Sequence, residues 1–387
     1  MSARGTRPDV LIVGGGVIGC ALARELAGRG LSVALLERGA AGEEASAAAA
    51  GLLSPQSDNA SPGPLFELGL SSLRLYPSWI AAVEEETGQS VGYRRTGILR
   101  VAFDPPEEER LRAFLWQRDR GLDLEPWDSA RLRERFSGRV APAARAGTWF
   151  PDEGVVDPRR LTRALAAAAA GRGVAIREGT RAQKFWIETG RCRGVEIEGE
   201  RLEAGVVVDA AGAWAGFDEG LPFPVPVEPV RGQIVELHLG AEDPPTVLHS
   251  EGAYLVPQGG GRVLVGSTIE RAGYRKEVTA GALGELIREA ARLLPAVEAA
   301  RFVTAWAGLR PGTPDGLPML GSCGIDGLYF ATGHYRNGVL LAPVTALLVA
   351  DRIMGRGSAS LDAFAPERFA AVRTADPPGT QRPQVFR

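Results

Sequence analysis

An α/β fold is predicted by three features of this 387-residue sequence. The first is "DVLIVGGGVIGCALARELAGRG", a short apolar run that breaks on Gly14, Gly16 and Gly19 and passes into a helix-like period ending near Gly30. The second is "LSVALLE", another short apolar run, which ends in Glu37, eighteen residues past Gly19. The third is "AGVVVDAAGAWA", where β-branched residues run into Ala-Ala-Gly. Strand, glycine turn, helix and strand in that order make a parallel sheet covered by helices.

Each piece carries a physical reason. Gly14, Gly16 and Gly19 permit a tight turn and close approach of a pyrophosphate, which backbone N–H groups and the positive end of the following helix then meet. Glu37 stands where a ribose-binding carboxylate is expected. A carboxylate there favours a ribose hydroxyl over a 2′-phosphate, so NADP is disfavoured while FAD and NAD stay open. Downstream, "EEASAAAAGLLSPQ" (Glu43 to Gln56) is dominated by small residues. It suits close backbone approach to a large flat ligand and equally suits a short helix. "LTRALAAAAAGRGVAIREGTRAQKF" then reads as a helix followed by strands.

Three further stretches, "YRRTGILRVAFD", "VEPVRGQIVELHL" and "AYLVPQGGGRVLVGSTIE", read as strands with turns near Asp104 and at Gly259 to Gly261. Near the end, "ATGHYRNGVLLAPVTALLVAD" reads as a strand end, a glycine-containing loop and a buried helix. The backbone N–H groups around Asn337 to Leu340 are then expected at that helix's positive end. Pro343 is expected in its first turn, where the missing N–H costs nothing.

Composition bounds the partners. With 45% hydrophobic and 24% charged residues the chain can bury a sizeable core, and its length suggests two domains. A net charge of -3 without any Lys/Arg block argues against a nucleic-acid or anionic-membrane surface, leaving a small molecule as the expected partner. Cys20, Cys192 and Cys323 lie far apart, and with three histidines they suggest neither a disulfide framework nor a metal cluster. The N-terminus runs directly into a folded pattern, unlike a signal peptide, and no stretch reaches eighteen strongly apolar residues. A cytoplasmic protein without a membrane partner is expected.

In order, "GGGVIG", Glu37, "EASAAAAG", "VVVDAAGAWA", "WAGLRPGTPDG" and "GHYRNGVLLAPVT" resemble the D-amino-acid oxidase superfamily of FAD enzymes, and within it the glycine oxidase branch of thiamine biosynthesis. The resemblance spans nearly the whole chain. It implies an α+β whole: a discontinuous Rossmann-like FAD-binding domain (1–87, 146–220 and 304–370), a substrate domain with a largely antiparallel sheet (88–145 and 221–303), and a C-terminal tail (371–387).

The cofactor implied is noncovalent FAD. Its expected contacts are Gly14, Gly16, Val17, Ile18 and Gly19; Glu37 and Arg38; Ser46, Ala47, Ala48, Ala49, Gly51 and Leu52; Ala182 at the adenine end; and Ala211, Gly212 and Trp214. The set closes with His334, Tyr335, Arg336, Asn337, Gly338, Val339 and Leu340. Arg310 resembles the arginine that takes a substrate carboxylate bidentately, Arg336 a second substrate-side residue, and Tyr254 a tyrosine whose hydroxyl faces the substrate. None of the histidines is expected to act as base.

The activity implied is oxidation of glycine or another small amino acid to an imine, with oxygen reduced to hydrogen peroxide, in a homo-oligomer, a tetramer by resemblance. Two alternatives stand beside it: a sarcosine, D-amino-acid or 2-hydroxy-acid dehydrogenase on the same scaffold, and a non-catalytic flavoprotein subunit.

Overall fold

The strand Val10–Val13 lies at the middle of a six-stranded sheet and explains the run "VLIV" by being covered on both faces. A computed structural model describes residues 7–136, 143–218, 221, 223–240, 244, 246–357 and 359–369. The tail expected at 371–387 lies outside the described residues. Across the sheet the order is Met319–Ser322, Leu328–Thr332, Val206–Asp209, Val10–Val13, Val33–Leu36 and Ala175–Arg177. All neighbours are parallel except the first pair.

Alternation along Val10–Val13 divides two cores. Val10 and Ile12 join the cluster formed with the helices Val17–Gly28, Pro158–Gly171 and Gly338–Ile353. Leu11 and Val13 point the other way, towards a three-stranded antiparallel sheet that contributes Phe185, Val195 and Ile197. The six-stranded sheet is thus covered by helices on one face and by a small antiparallel sheet on the other.

A second sheet of eight strands runs Arg301–Gly312, Glu228–His238, Arg262–Gly266, Tyr254–Gly259, Val247–His249, Ile98–Ala102, Ala146–Phe150 and Glu125–Asp128. It is antiparallel apart from the pairing of Val247–His249 with Ile98–Ala102. The amphipathic helix Ala280–Leu293 lays Leu286, Ala290 and Leu293 on one face of it. The opposite face, with Ile234, Val256 and Leu264, turns towards the first sheet. Ala146–Phe150 and all of Arg301–Gly312 are strands of this large sheet, so the sheet continues through the expected boundaries at 145/146 and 303/304.

Pro343 departs from expectation: it is the sixth residue of the helix Gly338–Ile353, not part of its first turn. A proline there cannot donate to the Val339 carbonyl and crowds the preceding turn. The neighbouring helix Pro64–Thr87 supplies the missing donors. Tyr76 donates its hydroxyl to the Val339 carbonyl, and Ser72 Oγ donates to the Leu340 carbonyl at 2.6 Å. Both hydroxyls are fully buried, and both residues fall on the face of Pro64–Thr87 that packs on the final helix.

Candidate active site

The carboxyl ends of Val10–Val13, Val33–Leu36 and Val206–Asp209 open into a cavity of ≈ 630 Å³ whose far wall is the large sheet. At the first strand end, Gly14 has φ +111°, and a Cβ there would lie 2.4 Å from the Ala210 carbonyl oxygen. Only glycine fits that turn. A Cβ on Gly19 would lie 1.9 Å from the Gly14 carbonyl oxygen, so Gly19 serves turn packing and does not line the cavity. Gly16, Val17 and Ile18 do line it, at the N-terminus of the helix Val17–Gly28. Glu37 accepts from the Gly15 amide at 2.7 Å and the Gly39 amide at 2.8 Å, which fixes its carboxylate beside the turn.

The small-residue stretch forms the short helix Ala45–Ala48 followed by extended chain. Ser46 Oγ accepts from the Val17 amide at 2.9 Å, tying this stretch to the glycine turn. Ser46, Ala48, Ala49, Gly51 and Leu52 line the cavity; Ala47 does not, and its carbonyl accepts from Arg159 Nε instead. Gly308 must lack a side chain, because a Cβ there would lie 2.4 Å from the Ala48 Cβ.

Ala182, Ala211, Gly212 and Trp214 meet at one end of the cavity. Asp209, fully buried, accepts from the Ala211 amide at 3.0 Å and the Gly216 amide at 2.8 Å, holding that loop. Burial pushes its carboxyl up to about 6, against those two amides. Arg38 lies 3.5 Å above the Trp214 ring, Tyr274 stacks on the same ring at 5.6 Å, and the Tyr274 hydroxyl donates to the Ala213 carbonyl. Lys276 and Arg38 both reach Glu44, so a strap from the large sheet is fastened across this end.

The opposite end is built of side chains. Arg310 donates to the Thr268 carbonyl at 3.1 Å and to Ser267 Oγ at 2.7 Å. Two mid-strand glycines make room. A Cβ on Gly232 would lie 2.2 Å from the Arg310 guanidinium nitrogens, and one on Gly266, which pairs with Tyr254, 2.4 Å from the Tyr254 hydroxyl. Tyr254, Arg310, Arg336 and His249 thus face one space. Burial lowers the Arg310 pKa and raises that of the Tyr254 phenol, with Arg310 opposing the latter shift.

His249 stands edge-on to Tyr254, and burial, with Arg100 and Arg336 nearby, holds its pKa well below the usual imidazole range. His334 is buried against Thr345 at 3.1 Å and is pushed down to about 3 by burial. Both rings are therefore neutral and weakly basic at neutral pH.

Tyr335, with φ +49°, sends the chain from the strand end into the last helix, and its amide donates to the Pro311 carbonyl at 2.9 Å. His334, Tyr335, Arg336, Gly338 and Val339 line the cavity. Asn337 and Leu340 do not: Asn337 caps the helix, and Leu340 turns into the core. Sequence reasoning missed Gly232, Gly266, Ser267, Tyr274 and Asp58. The glycines carried a signal, since glycine inside a strand marks a close approach. Tyr274 carried none. Cys323 is buried and is not among the lining residues, and all three cysteines are free.

Glycine turn, ribose-side carboxylate, small-residue channel and a guanidinium facing the far end define a dinucleotide-dependent enzyme of the oxidoreductase class. The chain belongs to the FAD dependent oxidoreductase family (DAO), which it matches over residues 9–352. It is 39% identical to a glycine oxidase from Geobacillus kaustophilus (strain HTA426) over 357 residues, 90% of this chain and 93% of that protein. It is also 39% identical to a bifunctional protein ThiO/ThiG from Synechocystis sp. over 96% of this chain, and spans 55% of that longer protein.

Among solved structures, a glycine oxidase from Geobacillus kaustophilus superimposes with a TM-score of 0.89 at 36% identity, covering 94% of this chain and 99% of that one. An L-proline dehydrogenase from P. horikoshii does so at 0.83 and 25% identity, covering 94% of this chain and 98% of that one. The cofactor is FAD. The residues present fit it: the Gly14 turn excludes any side chain, the adjoining helix N-terminus suits a pyrophosphate, and Glu37 is held by two backbone amides beside that turn, where it would meet a ribose hydroxyl. Among the described residues no helix is long and apolar enough to cross a membrane, and no metal-binding group of side chains is present.

Proposed function

We propose that this enzyme oxidises glycine, or another amino acid as small, to the imine, which hydrolyses to a 2-oxo acid and ammonia while oxygen is reduced to hydrogen peroxide. The observation that carries this reading is Arg310, half-buried beside Tyr254 and lining the space at the substrate end. Its planar fork matches a carboxylate and leaves a bound amino acid one defined orientation. Bound FAD supplies the acceptor for the two electrons removed with the α-hydrogen. The protein positions the substrate: Arg310 and Arg336 take the carboxylate, Tyr254 orders it, and the neutral His249 closes the wall without acting as base. Gly338 and Val339 line the cavity at the positive end of the last helix, and would favour negative charge on a flavin bound there.

We also place the FAD-binding domain on the six-stranded sheet and the substrate domain on the eight-stranded one, with the strands Ala146–Phe150 and Arg301–Gly312 assigned to the latter. The names of the relatives support a role in supplying thiamine thiazole synthesis; a cytoplasmic homotetramer that uses oxygen is proposed with it, on the family resemblance alone. Anaerobic addition of glycine, sarcosine, D-alanine and glycolate to the yellow holoenzyme, followed by air, tests the reading. Bleaching by glycine and peroxide on re-oxidation are expected. Bleaching by another member of the panel without peroxide would instead make the protein a dehydrogenase, as its likeness to the L-proline dehydrogenase allows. No bleaching by any of them would leave only the structural-subunit alternative, against which the Arg310, Arg336 and Tyr254 grouping speaks.

A further inference from the structure

A small amino acid is a zwitterion at neutral pH, and two arginines satisfy only its negative end. The substrate end of the cavity also presents carboxylates, Asp58 and Glu251. Glu251 is engaged by Arg110 through both of its oxygens. Asp58 is not held in that way: its Oδ2 accepts from Ser54 Oγ at 3.0 Å and lies 3.8 Å from Arg336 Nη2.

The turn that carries Asp58 is fixed from behind by buried groups. Glu153 accepts from the Gln56 amide at 2.6 Å and the Ser57 amide at 2.9 Å. Gln117 Nε2 donates to the Gln56 and Asn59 carbonyls, each at 3.0 Å, and Arg100 Nη1 donates to the Ser57 carbonyl at 2.6 Å. A buried carboxyl group, a buried amide and a guanidinium thus serve one short turn, whose pocket-facing product is a carboxylate with 14% of its side chain exposed. Such an arrangement keeps a charge where a ligand can use it and limits the reorganisation needed on binding.

Resting on the amino-acid reading above, we propose that Asp58 is the specificity-determining residue that receives the substrate's ammonium group, so that the site selects zwitterions over simple carboxylates of equal size. The companion consequence concerns Arg336. Removing the Asp58 charge releases that guanidinium from its acidic neighbour and makes the pocket more favourable to a plain anion. Ammonium-bearing and ammonium-free ligands should therefore respond in opposite directions.

Calorimetric titrations of the anaerobically reduced holoenzyme, whose flavin can accept no further electrons, with glycine and with glycolate measure both affinities in wild type, Asp58→Asn and Asp58→Glu. The expected result for Asp58→Asn is a roughly ten- to hundred-fold weaker glycine affinity, the range of one charge-assisted hydrogen bond, with glycolate unchanged or tighter. Asp58→Glu should recover part of the preference. Equal weakening of both ligands would show a merely structural role, and no change in their ratio would overturn the proposal as well. Failure of glycine to bleach the wild-type flavin would sink the glycine-oxidation reading separately, because the ratio of the two affinities is measured without turnover.

Discussion

The two ends of the cavity are made of different material. The end around Gly14 and Glu37 is mostly backbone: a glycine turn, a helix N-terminus and amides ordered by Glu37 and Asp209. The end around Arg310 is mostly side chain, drawn from residues near 58, 249, 254, 310 and 336, and roomy only because Gly232 and Gly266 lack a Cβ. Backbone contacts tolerate changes of side chain and bind what every family member shares. Side-chain contacts are specific, and one substitution can remove them. The comparison therefore predicts that changes at the far end fall on substrate handling, and changes at the near end on cofactor binding.

The largest effect is expected at Arg310. Arg310→Ala should leave the protein yellow and lower kcat/KM on glycine by about 2–5 kcal/mol, roughly thirty- to several-thousand-fold, because a substrate carboxylate would lose its bidentate partner and keep only Arg336. Arg310→Lys keeps the charge, loses the fork and should fall between. A neutral amine without the carboxylate is the control and should lose little. Gly232→Ala should act in the same direction by displacing the guanidinium. Steady-state kinetics with both substrates decide, and near-original efficiency on glycine would break the contrast between the two ends.

Next comes the pH dependence built into the buried carboxylate behind the substrate end. Burial raises Glu153 from 4.5 to about 8, outweighing its hydrogen bonds to Ser57 and Gln56. Because the folded state holds this proton longer than the unfolded chain does, stability is fully present below the unfolded pKa and declines as pH rises towards 8. The loss between pH 5 and 8 should be on the order of 3 kcal/mol. Glu153→Gln keeps the acceptor for both amides and should flatten that part of the profile, leaving the smaller decline from Asp209, whose carboxyl is raised from 3.8 to about 6. Urea midpoints across pH measure both; an unchanged slope in the variant would show that Glu153 is not the titrating group.

How much of this was readable beforehand follows from the same contrast. The near end was legible because Gly14, Gly16, Gly19 and Glu37 act through neighbours close in sequence, so spacing alone carries the geometry. Even there, Gly19 and Ala47 turned out to serve packing and not the cavity wall. At the far end Arg310 and Tyr254 were found through resemblance, whereas Gly232 and Gly266 matter only through strand register, in which Tyr254 pairs with Gly266 and Arg310 with Val230, two residues from Gly232. Pro343 was misplaced for a related reason. Local propensity forbids it in a helix interior, and the hydroxyls that tolerate it, Tyr76 and Ser72, come from a helix more than two hundred and sixty residues earlier.

At the near end the effects should be smaller and should fall on the cofactor. Glu37→Gln removes one charge-assisted contact while the turn and helix remain, so FAD affinity should weaken by roughly 1.5–3 kcal/mol. Titration of apoprotein with FAD, read by flavin fluorescence, measures it, and kcat at saturating FAD should hold. A loss of kcat equal to that of Arg310→Ala would erase the distinction between the ends.

The smallest effect sharpens the comparison most, because it tests a loop of the large sheet that reaches across to the near end. Tyr274 is 55% exposed, yet it stacks on Trp214 and donates to the Ala213 carbonyl, while Lys276 of the same strap meets Glu44 at 3.0 Å. An exposed aromatic pair and one surface ion pair contribute only about 0.5–1.5 kcal/mol together, too little to set FAD affinity and enough to change how fast the strap opens. Tyr274→Ala should therefore speed FAD release, read by stopped-flow fluorescence after dilution, by up to roughly tenfold with KM for glycine unchanged. High salt should speed release further by screening the Lys276 contact, and less so in Lys276→Ala. If Tyr274→Ala raises KM for glycine and leaves FAD release as it was, the strap belongs to the substrate end, and the division between a backbone-built and a side-chain-built end must be redrawn through Trp214.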